Sequence, residues 1–202
     1  KLSLARAEAA RAATHCASEL PTRLAHAFIE RNDRAPIWAE AGDDGNRLGE
    51  SDAAARAWAD ALTSSFMACS HQVSETVPDA GVGVLACVIA RSGIYVASVG
   101  LGRAVIGSEA DGGATLYCDE ASSPHTAASE AEQIRLASAG SEKLSPGIPT
   151  RLLGAPRVKE SNPGLTSLPD VSRLEHTQDG RRFILLGSPA IWGHGPRLPV
   201  QW

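Results

Sequence analysis

A chain of 202 residues with 43% hydrophobic content is long enough to bury one substantial core and too short for two well-formed ones. Its net charge of −4 is spread along the sequence with no block of Lys or Arg, which argues against nucleic acid or an anionic membrane as partner. No apolar run approaches the roughly 20 residues that span a bilayer, and Cys16, Cys69, Cys87 and Cys118 lie far apart with no Cys-x-x-Cys pair, as expected of core thiols in a reducing, intracellular compartment.

Residues 2–20 are rich in Ala, with Arg6, Glu8, Arg11 and Glu19 scattered among them, and predict an N-terminal helical segment (1–22) ended by Pro21. Residues 23–29 then predict a strand and 36–41 a second short one, followed by Gly42-Asp43-Asp44-Gly45-Asn46, which is ordinary turn chemistry. Ser51 is a good N-cap, and Ala54, Trp58, Ala61, Leu62, Ser65, Phe66, Cys69 and Val73 fall at helical spacing. That stripe predicts a long amphipathic helix over 51–73 with Trp58 and Phe66 as core anchors. Residues 82–90 are rich in β-branched side chains, Arg91-Ser92-Gly93 supplies a turn, 94–99 alternates as a strand does, and 103–106 starts a third strand. The expectation is an antiparallel meander, central to the chain. Asp111-Gly112-Gly113 is a turn before a strand at 114–118; Ser129 and Glu132 have capping-box spacing, and Gly140 sits where a helix would end. The apolar run at 182–186 predicts a buried strand.

The central hairpin ends in Gly100-Leu101-Gly102-Arg103-Ala104 and resembles that of metal-dependent PP2C-type serine/threonine phosphatases, where the element reads Gly-Asp-Ser-Arg-Ala. The likeness extends from about Arg23 to Trp192. Glu132-Gln133-Ile134-Arg135-Leu136 up to Ala139-Gly140 resembles the family's Glu-x-x-Arg-Ile-x-x-Ala-Gly helix, and Thr150-Arg151-Leu152-Leu153-Gly154-Ala155 its Ser-Arg-Ala-Leu-Gly-Asp. Gly187-Ser188-Pro189-Ala190-Ile191-Trp192-Gly193 is similar to Ala-Ser-Asp-Gly-Leu-Trp-Asp. The resemblance implies an α+β fold, a β-sandwich of two antiparallel sheets flanked by α-helices, occupying 23–202. Relative to the family the chain stops short at Trp202, so either a terminal segment is missing or a partner covers the sheet edge.

What the resemblance implies about chemistry is a pair of hard divalent cations held by carboxylates, with a bridging water as nucleophile. The positions that match those carboxylates carry Ala25, Gly42, Leu101, Pro189 and Gly193, with His26 at the remaining one; a two-residue shift would instead bring Asp44-Gly45 into the metal loop. Ser188 lacks a Gly-x-Ser-x-Gly elbow, and His15, His71, His125, His176 and His194 share no motif with it. The expectation is therefore a pseudophosphatase with no cofactor, acting as a protein-binding or structural subunit. Two alternatives stand beside it. One is a divergent phosphatase whose rebuilt metal site uses His26, Asp43 and Asp44; the other is a regulatory module that takes a phosphopeptide or small ligand through Arg23 or Arg103.

Overall fold

The computed structural model describes residues 2–30, 52–90, 93–110, 115–141, 144–176 and 182–192. Two helices open the chain, α1 (Leu2–Glu30) and α2 (Asp52–Thr76). The strands β1 (Gly81–Val82), β2 (Val84–Ala90), β3 (Gly93–Val99), β4 (Arg103–Ala110) and β5 (Thr115–Glu120) follow. After them come α3 (Glu130–Ser138), β6 (Leu153–Gly154), α4 (Pro156–Glu160), β7 (Asp170–Leu174), β8 (Arg182–Gly187) and the single turn α5 (Pro189–Trp192). The main strands form two three-stranded antiparallel sheets, one in the order β2-β3-β7 and one in the order β5-β4-β8, while β1 pairs with β6.

The helix predicted to stop at Pro21 does not stop there, and the strand predicted over 23–29 is helix. Pro21 sits inside α1, so residue 22 falls within one continuous element. The physical reason is the apolar stripe. Ala12, Cys16, Leu20 and Leu24 recur every fourth residue on both sides of Pro21, and they pack on a core that includes Trp58, Leu62, Phe66, Cys69 and Val73 of α2. A proline costs a helix interior about 3 kcal/mol, and burial of a stripe of this length exceeds that at about 25 cal/mol per Å² of apolar surface. The α2 stripe is as predicted, with Phe66 fully buried and Trp58 nearly so, its ring 6.0 Å from that of Tyr95 on β3. Ser51 and the predicted strand at 36–41 lie outside the described residues.

Strand β3 is buried on both faces, which explains its small and β-branched composition. Tyr95, Ala97 and Val99 face the helices, whereas Val96 belongs to a second core with Ala104 and Ala121, against which Leu85, Cys87, Leu174 and Ile184 pack. The order of layers is helices, first sheet, second sheet. The predicted β2-β3 hairpin is present, its register running from Val84 opposite Val99 to Ala90 opposite Gly93. The third strand of the expected meander, however, leaves that sheet: β4 pairs with β5 and β8. The corner is made at Gly100, whose φ of +98° favours glycine and whose added Cβ would lie 2.8 Å from the Gly83 Cα.

Two further expectations are corrected. The strand at 182–186 is present as β8, but it lies at the edge of the second sheet with Phe183 41% and Leu185 53% exposed. An apolar run specifies a strand without specifying what covers each face; only Ile184 of this run packs on the inter-sheet core. At α3, Ser129 occupies the N-cap but makes no side-chain cap hydrogen bond, and Glu132 does not complete a capping box because its carboxylate turns inward to two arginines. The C-terminal end is as expected. Gly140 has φ +66°, its N–H donates to the Ala137 carbonyl and that of Ser141 to the Leu136 carbonyl, a Schellman closure.

Candidate functional site

At the Gly100 corner the two sheets part, leaving a cleft of about 440 Å³. The start of β2 supplies Gly83, Val84 and Leu85, the corner Gly100, Leu101 and Gly102, the end of β8 Leu186 and Gly187, and the following turn Ser188 and Pro189, with Pro149 at the side. Leu101 and Pro189, which stand where the resemblance expects carboxylates, are thus brought from distant parts of the chain into one cleft. Their side chains offer no lone pair to a cation, and the remaining lining contributes backbone groups and one hydroxyl. That donor set does not fit a magnesium or manganese pair, which needs several anionic oxygens. Among the described residues, no three His, Cys, Asp or Glu side chains lie together as a metal site.

The predicted site residues are dispersed. His26 is exposed on α1 and does not line the cleft, and Ala25 beside it is exposed too. Asp43 and Asp44 lie outside the described residues, as do Gly42 and Gly193. Arg23 is half-buried on α1, with its Nε buried and lacking a hydrogen-bond partner. Arg103, next to the cleft in sequence, is turned to Glu120 on β5, 3.9 Å from its carboxylate.

Behind the cleft lies a polar network that sequence spacing did not reveal. Glu132 is 3% and Arg151 8% exposed. Arg151 donates from Nη2 to Glu132 Oε1 at 2.7 Å and from Nη1 to Asp170 Oδ1 at 2.6 Å. Arg135 donates to Glu132 Oε2 at 2.7 Å and to the Gly164 carbonyl at 2.6 Å, and the Thr150 hydroxyl donates to the same carboxylate at 2.5 Å. His125 Nε2 and Asp170 Oδ2 are 2.9 Å apart. Burial pushes the Glu132 carboxyl up, but the hydrogen bonds from Arg135, Arg151 and Thr150 and the charge of Arg151 outweigh it and hold the group at about 2. Asp170 is lowered by its bond with His125 first and, against burial, by Arg151. The backbone carries this rigidity to the cleft: His125 N–H donates to the Gly100 carbonyl at 2.8 Å, and Thr150 N–H to the His125 carbonyl at 3.0 Å. The network is a buttress for the corner. Its one trace in the sequence was the Glu132 and Arg135 pair three residues apart, which has the spacing of an ordinary helix-face ion pair.

The fold agrees with the comparisons to known proteins. The family profile for protein phosphatase 2C matches residues 5–196. The chain belongs to the protein phosphatase 2C family. Among solved structures, serine-threonine phosphatase 2C from Toxoplasma gondii superposes with a TM-score of 0.64 at 17% identity, over 86% of this chain and 62% of that one. A phosphatase from Toxoplasma gondii gives a TM-score of 0.45 at 15% identity, over 68% of this chain and 55% of that one. At these identities the likeness is one of fold, and this phosphatase 2C chain spans less than two thirds of either structure. No curated protein matches the sequence. The expected α+β sandwich with flanking helices is the fold observed.

Proposed function

We propose that this member of the phosphatase 2C family is a pseudophosphatase, working without a cofactor as a protein-binding or structural subunit of a larger assembly. The observation that supports it is the cleft at Leu101 and Pro189, where the family resemblance expects metal ligands and the side chains are aliphatic. Phosphate-ester hydrolysis of the two-metal kind needs cations to activate water and to neutralise the phosphoryl oxygens. Apolar walls do neither. The binding half of the proposal is supported by the second sheet, where Leu116, Phe183 and Leu185 are exposed and β8 forms an edge. Among the described helices none is long and apolar enough to cross a membrane.

Calorimetric titration of the purified chain with Mn²⁺, paired with a phosphoserine-peptide assay, tests the proposal. The expected result is no binding at the cleft and no turnover. Tight binding that is abolished by Asp43→Ala or Asp44→Ala, together with hydrolysis, would overturn it in favour of a divergent phosphatase with a rebuilt site. A phosphopeptide that binds without turnover and is lost on Arg23→Gln or Arg103→Gln would point to the ligand-binding module instead.

A further inference from the structure

Cys16 and Cys69 are separated by 53 positions in sequence, yet α1 and α2 set their Sγ atoms 3.2 Å apart in the core. We propose that Cys16 and Cys69 are a redox pair, which a hydroperoxide converts to a disulfide that staples α1 to α2. The sulfurs need to close by roughly 1.2 Å to reach the bonding distance of about 2.05 Å, a change within reach of χ1 adjustments on two packed helices. Both thiols are free. The route in is a second cleft, of about 480 Å³, between α1 and the β1-β2 segment, and Cys16 is part of its wall. That cleft is otherwise lined by aliphatic side chains such as Leu20, Leu24 and Val84, and it admits a small neutral oxidant.

Activation is built into the pair. Its two sulfurs share a hydrogen bond, so the thiolate formed when one proton leaves is stabilised by the S–H that remains. Two turns along α1 from Cys16, Arg23 has a buried Nε without a hydrogen-bond partner, and its charge favours the thiolate. The bond from Cys16 and the Arg23 charge together hold the Cys69 thiol below its ordinary value, against burial and the opposing charge of Glu19. The same bond, with burial, pushes the Cys16 thiol up, so the anion rests on Cys69 and is the base that takes the Cys16 proton when the Cys16 sulfur, at the cleft, reacts. Cys87 lines the same cleft, but burial pushes its thiol up, so it stays protonated.

The steps balance. The Cys16 sulfur attacks the distal oxygen of the hydroperoxide as its proton passes to the Cys69 thiolate, the O–O bond breaks, and the alkoxide or hydroxide leaves and takes up a proton from solvent, giving a sulfenic acid on Cys16. The Cys69 sulfur then attacks that sulfur, the S–O bond breaks, and water leaves with the Cys69 proton. Two thiols and one hydroperoxide become one disulfide, one alcohol or water, and one water. The chemistry needs no metal and is independent of whether the cleft at Leu101 is catalytic.

The test treats the reduced full-length chain with hydrogen peroxide, blocks remaining thiols with N-ethylmaleimide and maps peptides by mass spectrometry. The expected product is an intrachain Cys16–Cys69 linked peptide pair, reversed by dithiothreitol, with Cys87 still labelled and the Tm raised by about 5–10 °C. Arg23→Gln slows cross-linking about tenfold at pH 7, and the difference narrows towards pH 9.5 as both forms ionise. The double variant Cys87→Ser/Cys118→Ser keeps the cross-link. Recovery of Cys16 and Cys69 as labelled thiols at doses that oxidise Cys118, a sulfinic acid without a cross-link, or a linkage only between chains would each overturn the proposal.

Discussion

Glu132 is the side chain on which most of the buried polar structure converges, since it accepts hydrogen bonds from Arg135, Thr150 and Arg151 while nearly excluded from water. A buried charge with a partner removed is costly, so Glu132→Ala, which leaves Arg151 only the half-exposed Asp170 as counter-charge, is expected to destabilise the fold by about 3–5 kcal/mol in urea unfolding. The pH dependence has a definite sign. The folded carboxyl sits at about 2 against an ordinary value of 4.5, so its stabilising effect is complete above 4.5 and is lost as pH falls towards 2. Asp170, lowered in the same direction, adds to that acid loss. Urea midpoints measured from pH 6 to pH 3 should therefore fall steeply at the acid end, and Glu132→Gln, which does not titrate, should flatten the fall. A variant as acid-sensitive as the wild type would remove Glu132 from this role.

At the scale of elements, α1 is the instructive case. Pro21 has no N–H to give the helix and is exposed, while its neighbours Leu20 and Leu24 are drawn into the core. Pro21→Ala restores one backbone hydrogen bond without disturbing the apolar stripe, and is expected to stabilise the protein by about 1–3 kcal/mol, read as a higher Tm. If α1 broke at that residue, as local propensity alone suggests, the substitution would change little. The other revealing element is the passage from β3 to β4. Glycines at Gly83 and Gly100 let two backbone segments approach closely enough for the chain to change sheets, and the cleft is the space this crossing leaves.

At the scale of the whole molecule, the described residues cohere through apolar layers and the Glu132 network. On the proposed function, Tm should be the same with Mn²⁺ or with a chelator, because only a ligand that binds the native state raises stability by mass action. A shift of several degrees on adding Mn²⁺ would speak for a surviving site. The exposed second sheet gives a complementary check. Leu185→Lys on its outer face is expected to leave Tm within about 2 °C, since the residue is 53% exposed, while weakening stoichiometric association seen by light scattering and co-purification. Unaltered association in that variant would place the partner elsewhere.

The sequence by itself determined what short-range periodicity encodes. The stripe through Trp58, Leu62, Phe66 and Val73 fixed α2; the β-branched run before Arg91-Ser92-Gly93 and the alternation after it fixed the hairpin; Ser129 and Gly140 bounded α3; and motif order identified the family. Tertiary structure decided whatever depends on residues far apart in the chain. Local rules end a helix at Pro21, but contacts with α2 carry it through; the spacing of Ser129 and Glu132 fits a capping box, but Arg151 claims the carboxylate. Leu101 and Pro189 became one cleft, and Cys16 and Cys69 one pair, only when strands and helices were packed. The physical reason is that helix and strand periods act over a few residues, whereas burial and charge pairing choose partners by proximity in space, which no local spacing specifies.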